Sequence, residues 1–100
     1  MPLAGSRNVR TAHYKKQLAA LPERIQELAE LLFERFCEDP AAPELANHEL
    51  YDSSRGHHRQ GSRAVSVTRR YRAIYVVDGD TNVWYWIGSH ADYDKFIGKK

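Results

Sequence analysis

The sequence predicts an α+β fold, in which an N-terminal strand and a helical hairpin pack on a small, mainly antiparallel sheet and a short C-terminal helix follows. Three observations carry this. Helix-period segments occupy residues 13–38 and strand-period segments residues 63–87, without interleaving. Arg63–Thr68, Tyr71–Val77 and Val83–Ile87 are rich in Val, Ile, Tyr and Trp and are separated by turn residues, as in a meander of three strands. A Ser-His-x-x-Tyr step then opens a last helix at Ser89–Tyr93.

In chain order, Met1–Arg7 is polar and contains Gly and Ser, so a loose terminus is expected. Asn8–Ala12 is a short first strand. His13–Leu21 carries Tyr14, Leu18 and Leu21 at spacings of four and three and forms a short helix. Pro22 interrupts it and suits the first turn of a new helix. In Glu23–Glu38, Ile25, Leu28, Leu32 and Phe36 fall on one helical face, and Glu23 and Glu27 sit near the positive N-terminal end. The two helices make an αα-hairpin. Asp39-Pro40-Ala41-Ala42-Pro43 ends it, because proline cannot continue a helix. Glu44–Leu50 has no clear period, and Tyr51–Gly61 is nearly devoid of apolar residues, hence a surface loop. In the meander, Val65 and Val67 alternate with Ala64, Ser66 and Thr68, as in a half-buried strand. Tyr71–Val77 is apolar on both faces except at Arg72, which makes it the central strand, with Arg72 on the open face. Asp78-Gly79-Asp80 is a hairpin turn. One hundred residues amount to a single domain, 1–100.

The composition is ordinary for a globular protein, 42% hydrophobic and 28% charged. A net charge of +2 conceals an uneven distribution. Between Ser53 and Val77 stand six arginines and two histidines with no Asp or Glu, so a phosphate-bearing partner is plausible. The single cysteine, Cys37, excludes an internal disulfide, suits a reducing cytoplasm, and is expected to be a buried helix residue. No run approaches the roughly 18 apolar residues of a membrane span, and residues 1–10 hold no apolar leader core.

Two constellations offer chemistry. Arg63, Arg69, Arg70 and Arg72 surround one strand turn, and their guanidinium forks match phosphate oxygens; the alternative is a solvated basic turn with Arg72 paired to a helix carboxylate. His90 and Tyr93 follow the last strand at once and are suited to proton transfer, or else simply pack a helix start on the sheet. Ser89 with Asp92 has the spacing of a helix cap. His57 and His58 lie in the loop without the further ligands a metal needs, so no metal and no cofactor are expected. Trp84, Tyr85 and Trp86 are read as sheet packing, with base stacking as the alternative. There is no phosphate-binding glycine loop and no Ser/His/Asp set, so nucleotide hydrolysis and acyl transfer lack support.

Three segments in order resemble the RelE/ParE superfamily of bacterial toxins from toxin–antitoxin pairs. Leu21-Pro22-Glu23-Arg24-Ile25 is similar to its joint between two helices. Arg70-Tyr71-Arg72-Ala73-Ile74-Tyr75 is similar to its Y-R-[LIA]-[VI]-Y strand, and Ile87–Asp94 to its H-x-x-Y-type ending. The resemblance spans residues 8–97. It implies a RelE-like fold and a metal-independent mRNA endoribonuclease acting on the ribosome, by 2′-OH attack on the adjacent phosphate. Arg72 falls on the phosphate-stabilising arginine, and His90 and Tyr93 on the acid/base positions. Arg59, Arg63, Arg69 and Arg70 become RNA-binding residues. Val65 and Val67 stand where better-known members carry basic residues, which leaves the general base unassigned. The resemblance also implies a cognate antitoxin, with mRNA and the ribosome as further partners, and a cytoplasmic location. The alternatives are a ParE-like toxin that binds DNA gyrase without nuclease activity, and an inactive antitoxin-binding module.

Overall fold

The computed structural model describes residues 3–51 and 55–98. A five-stranded sheet has the order β1-β5-β4-β3-β2, with β1 (Arg7–Arg10), β2 (His48–Glu49), β3 (Ser62–Thr68), β4 (Tyr71–Asp78) and β5 (Thr81–Ser89). Among the described residues only the β1–β5 pair is parallel. The helices are α1 (Ala12–Ala19), α2 (Glu23–Glu38) and α3 (His90–Phe96), and one 3₁₀ turn covers Pro43–Leu45. The expected meander and its central strand are present, β4 being the middle strand. The period-free stretch Glu44–Leu50 supplies the 3₁₀ turn and β2. The described part of Tyr51–Gly61 is irregular; residues 52–54 lie outside the described residues.

The hairpin α1–α2 covers one sheet face. There Tyr14, Ala29, Leu32 and Phe36 meet Val65, Ala73, Tyr75, Trp84 and Ile87. The apolar face of α2 is rotated slightly from the one expected. Ala29 is buried with Leu32 and Phe36, while Ile25 and Leu28 are only half-buried. Cys37 is exposed, against expectation, because it follows Phe36 directly and so points about 100° away from the core face.

The opposite face is less open than a bare sheet. α3 lies across it, and Tyr93 and Phe96 join Leu50, Ala64, Ile74 and Trp86 in a second cluster. A bulge in β5 helps to divide the aromatic run. Register passes from Tyr75↔Trp84 to Ile74↔Trp86, leaving Tyr85 as the extra residue. Trp84 therefore enters the first core, and Tyr85 and Trp86 the second. With Trp84 at 0% and Trp86 at 5% exposure, these rings pack the sheet and form no stacking platform.

The expected loose terminus is fastened from Leu3 onward. Tyr75 donates its hydroxyl hydrogen to the Leu3 carbonyl at 2.8 Å, and buried Asn82 bonds both the N–H and the carbonyl of Gly5. Asn82 and Trp84 also donate to Asn8 Oδ1, each at 3.0 Å, tying β1 to β5.

Buried phenols make this fold sensitive to alkali. Burial pushes the Tyr14 hydroxyl up to about 12 from 10.0; Arg10 opposes the rise and Glu30 adds to it. Tyr75 and Tyr93 are raised as well, mainly by burial. A phenol that keeps its proton better folded than unfolded stabilises the native state fully below the unfolded value. That stabilisation is lost as pH rises from about 10 toward about 12. For Tyr14 it amounts to about 3 kcal/mol at most. Denaturant unfolding across this range should show wild type losing stability and Tyr14→Phe losing clearly less; equal losses would refute the assignment.

Candidate active site

The two sequence constellations meet where β4 begins and β5 ends. Pairing of Tyr71 with Ser89 and of Arg72 with Gly88 brings the start of α3 beside the Arg72 strand. Ser89 caps α3, its Oγ accepting from the Asp92 N–H at 3.2 Å, as its spacing predicted. The His90 N–H donates to the Arg70 carbonyl at 2.6 Å, which fixes where the imidazole starts.

Arg72, His90 and Tyr93 line one cavity of about 460 Å³, together with His48, Glu49, Leu50, Tyr51, His58 and Ile97. Arg72 does not pair with a helix carboxylate. One terminal nitrogen donates to the carbonyls of Thr68 (2.6 Å) and Tyr71 (3.1 Å), and no ion pair among the described residues includes it. Carbonyls orient a guanidinium without neutralising it, so the positive charge remains for a ligand.

Tyr93 is 5% exposed and stacks on His90, with ring centroids 5.9 Å apart. Burial raises its pKa, Arg72 opposes the rise and Asp94 reinforces it. Its hydroxyl therefore stays protonated at neutral pH and is a proton donor rather than a base.

The structure adds His48, which sequence reasoning missed. Its Nδ1 lies 2.9 Å from the Ala46 carbonyl and its Nε2 3.2 Å from the Tyr93 hydroxyl. A carbonyl only accepts, so Nδ1 carries a proton and Nε2 faces the phenol. Ala46, which holds that carbonyl, adopts a left-handed conformation (φ 48°), unusual for a residue with a side chain. No local pattern marks His48. It reaches Tyr93 because the two-residue strand β2 pairs His48 with Ala64 at the sheet edge.

The other arginines separate. Arg69 lines an adjoining groove of about 500 Å³ with Ser66, Thr68 and Glu44, and this groove shares Arg72 and His90 with the cavity. Arg70 borders a shallow depression with Tyr71, Ser89 and His90. Arg59 lies elsewhere, with its guanidinium 5.8 Å over the Tyr85 ring and its backbone N–H donating to the Tyr85 hydroxyl. Arg63 does not join the patch. Its strand partner Tyr75 faces the helices, and its guanidinium donates to Asn47 Oδ1 at 2.8 Å on that side. The expectation that one patch would gather Arg63 with Arg72 is corrected, since β3–β4 register puts them on opposite faces. His58 is not merely a solvated loop residue, since it lines the cavity and its Nε2 lies 2.8 Å from the Tyr51 carbonyl. Among the described residues no group of three or more His, Cys, Asp or Glu has metal-binding geometry.

No protein-family model matches the sequence, and no curated protein matches it. Solved structures do. YafQ from E. coli strain BL21(DE3) superposes with a TM-score of 0.67 at 16% identity, over 86% of this chain and 94% of that one. A YoeB/ParE toxin from Agrobacterium tumefaciens gives 0.63 at 16% identity, over 84% and 98%. The RelB–RelE antitoxin–toxin complex from Methanococcus jannaschii gives 0.60 at 18% identity, over 88% of this chain and 98% of the matched one. The expected fold is borne out: the chain has the α+β architecture of RelE-like toxins.

Proposed function

We propose that this protein, built on the RelE-like toxin fold, is the toxin of a toxin–antitoxin pair. In this reading it is an mRNA endoribonuclease that works on the ribosome. The observation that carries the reading is the convergence of Arg72, His48, His90 and Tyr93 on one cavity. Attack of a ribose 2′-OH on the neighbouring phosphorus needs a base, an acid and a cation at the phosphorane. His90 takes the 2′-OH proton as the oxygen–phosphorus bond forms. Arg72 stabilises the charge on the non-bridging oxygens. Tyr93 protonates the departing 5′-oxygen as its bond to phosphorus breaks. His48, its Nδ1–H held by the Ala46 carbonyl, sets Nε2 3.2 Å from the Tyr93 oxygen and positions the phenol for that transfer. The products are a cyclic phosphate and a 5′-OH end.

A histidine pair suits this chain because β3 offers no cationic base: Val65 is buried among the helices and Val67 packs against the same core. Arg69 and Arg70 flank the cavity and hold the neighbouring RNA phosphates. Arg59 and Arg63 are proposed only as more distant contributors to the positive field. The working site is cytoplasmic, where translating ribosomes are, and no helix among the described residues is long and apolar enough to cross a membrane. The partner is a cognate antitoxin that covers the cationic cavity, by likeness to the RelB–RelE complex.

Programmed ribosomes supplied with the protein should yield mRNA fragments with 5′-OH and cyclic phosphate ends, and His48→Ala and His90→Ala should each slow cleavage by about 100-fold or more. Expression alone should slow growth, and co-expression of a small neighbouring gene should relieve it. Intact mRNA with stalled gyrase would transfer the protein to the ParE-like alternative. Harmless expression of folded protein would refute the toxin assignment.

A further inference from the structure

Asp94 has no part in the mechanism above, yet its placement is specific. It lies one turn after His90 on α3, with Oδ2 3.6 Å from His90 Nδ1. That distance is slightly longer than a hydrogen bond, and catalytic hydrogen bonds are often long before substrate tightens them. Its other oxygen, Oδ1, is buried with no hydrogen-bond partner among the described residues. A freely solvated helix carboxylate would not leave an acceptor unmet in this way.

The imidazole is otherwise confined. Its backbone N–H is held by the Arg70 carbonyl, its helix start is capped by Ser89, and its ring stacks on Tyr93. What remains open is the ring flip that decides which nitrogen meets the cavity. The charged and titratable groups around it are Arg72, Tyr93, His48, Glu49, Tyr51 and His58 in the cavity, Glu44 and Arg69 in the groove, and Arg70 and Tyr71 beside it. Among the described residues Asp94 is the one carboxylate within 4.0 Å of a nitrogen of the ring.

We infer that Asp94 is a positioning residue, which holds the His90 imidazole with its proton on Nδ1 and leaves the Nε2 lone pair for the cavity. A carboxylate beside one ring nitrogen selects the tautomer in this way. The use of that lone pair as a base rests on the ribonuclease reading; the orientation does not. Nitrogen-15 NMR of the whole protein, with His90 neutral, tests the orientation directly. Wild type should show the Nδ1–H tautomer, and isosteric Asp94→Asn and truncated Asp94→Ala should both move His90 toward Nε2–H. Wild type already in the Nε2–H form overturns the inference without recourse to any variant, as does an unchanged tautomer in a folded variant. In the cleavage assay, Asp94→Asn should lower kcat on the order of tenfold, part of what a positioned base supplies. KM should be nearly unchanged, and Asp94→Glu should recover part of the rate. If wild type cleaves no RNA, the ribonuclease reading has failed and the NMR result still decides the placement of His90.

Discussion

Arg72→Ala is expected to slow mRNA cleavage by about 100- to 1000-fold while the protein stays folded. This is the usual loss when one preorganised donor to a developing oxyanion is removed. Arg72 is half-buried, so its charge works in a medium less screening than water, and its hydrogen bonds to Thr68 and Tyr71 hold it in place before substrate arrives. Those two bonds also explain why Arg72→Lys should recover little. An ammonium can keep the charge but cannot bridge two carbonyls and still present a flat donor edge to a phosphate. A further consequence falls on Tyr93, whose upward shift Arg72 restrains. Without that charge the phenol becomes a weaker acid, and the leaving group is protonated less readily. Single-turnover cleavage together with thermal melts separates loss of chemistry from loss of fold. A variant that cleaves at the wild-type rate would remove the phosphate role altogether.

Trp84→Ala should destabilise the protein by about 3–5 kcal/mol, the usual range for a large aromatic deleted from a core. Trp84 is fully buried, and its ring meets Phe36 at 4.8 Å, Tyr75 at 4.7 Å, Phe33 at 5.8 Å and Tyr14 at 6.4 Å between centroids. It thus joins both helices of the hairpin to the central strands. Its indole N–H also donates to Asn8, so truncation removes one of the two side-chain ties to Asn8 and leaves a partly buried acceptor short of one bond. Domains of this kind have total stabilities of about 5–15 kcal/mol, so the loss is a large fraction of the whole. Trp84→Phe, which keeps a ring and loses the hydrogen bond, should fall in between. Denaturant midpoints order the three proteins, and a midpoint for Trp84→Ala equal to wild type would contradict the packing described.

Much of this was legible in the residues. The four-and-three spacing over Ile25, Leu28, Leu32 and Phe36 foretold α2, although the buried face includes Ala29. Alternation in Val65 and Val67 and the Asp78-Gly79-Asp80 turn foretold the hairpins, and Gly79 adopts the positive φ (63°) its turn requires. The proximity of Arg72 to His90 was also readable, since a tight hairpin brings the start of one strand to the end of the next. Arg63 shows where such reading stops. One step of register decides which face a strand residue occupies, and the β3–β4 pairing carries an irregularity between Ser66 and Thr68 that composition does not reveal.

Periodicity and turn chemistry are properties of neighbouring residues, so the chain's own order was enough for its elements, their succession and the basic character of one end of the sheet. The pairing of His48 with Tyr93 across 45 positions, the parallel seating of β1 on β5, and the turn of Arg63 toward the helices are long-range matters. They depend on which edge a two-residue strand joins and on which face each register leaves outward. No short segment carries that information, because burial of the two cores settles it only once all the elements have packed.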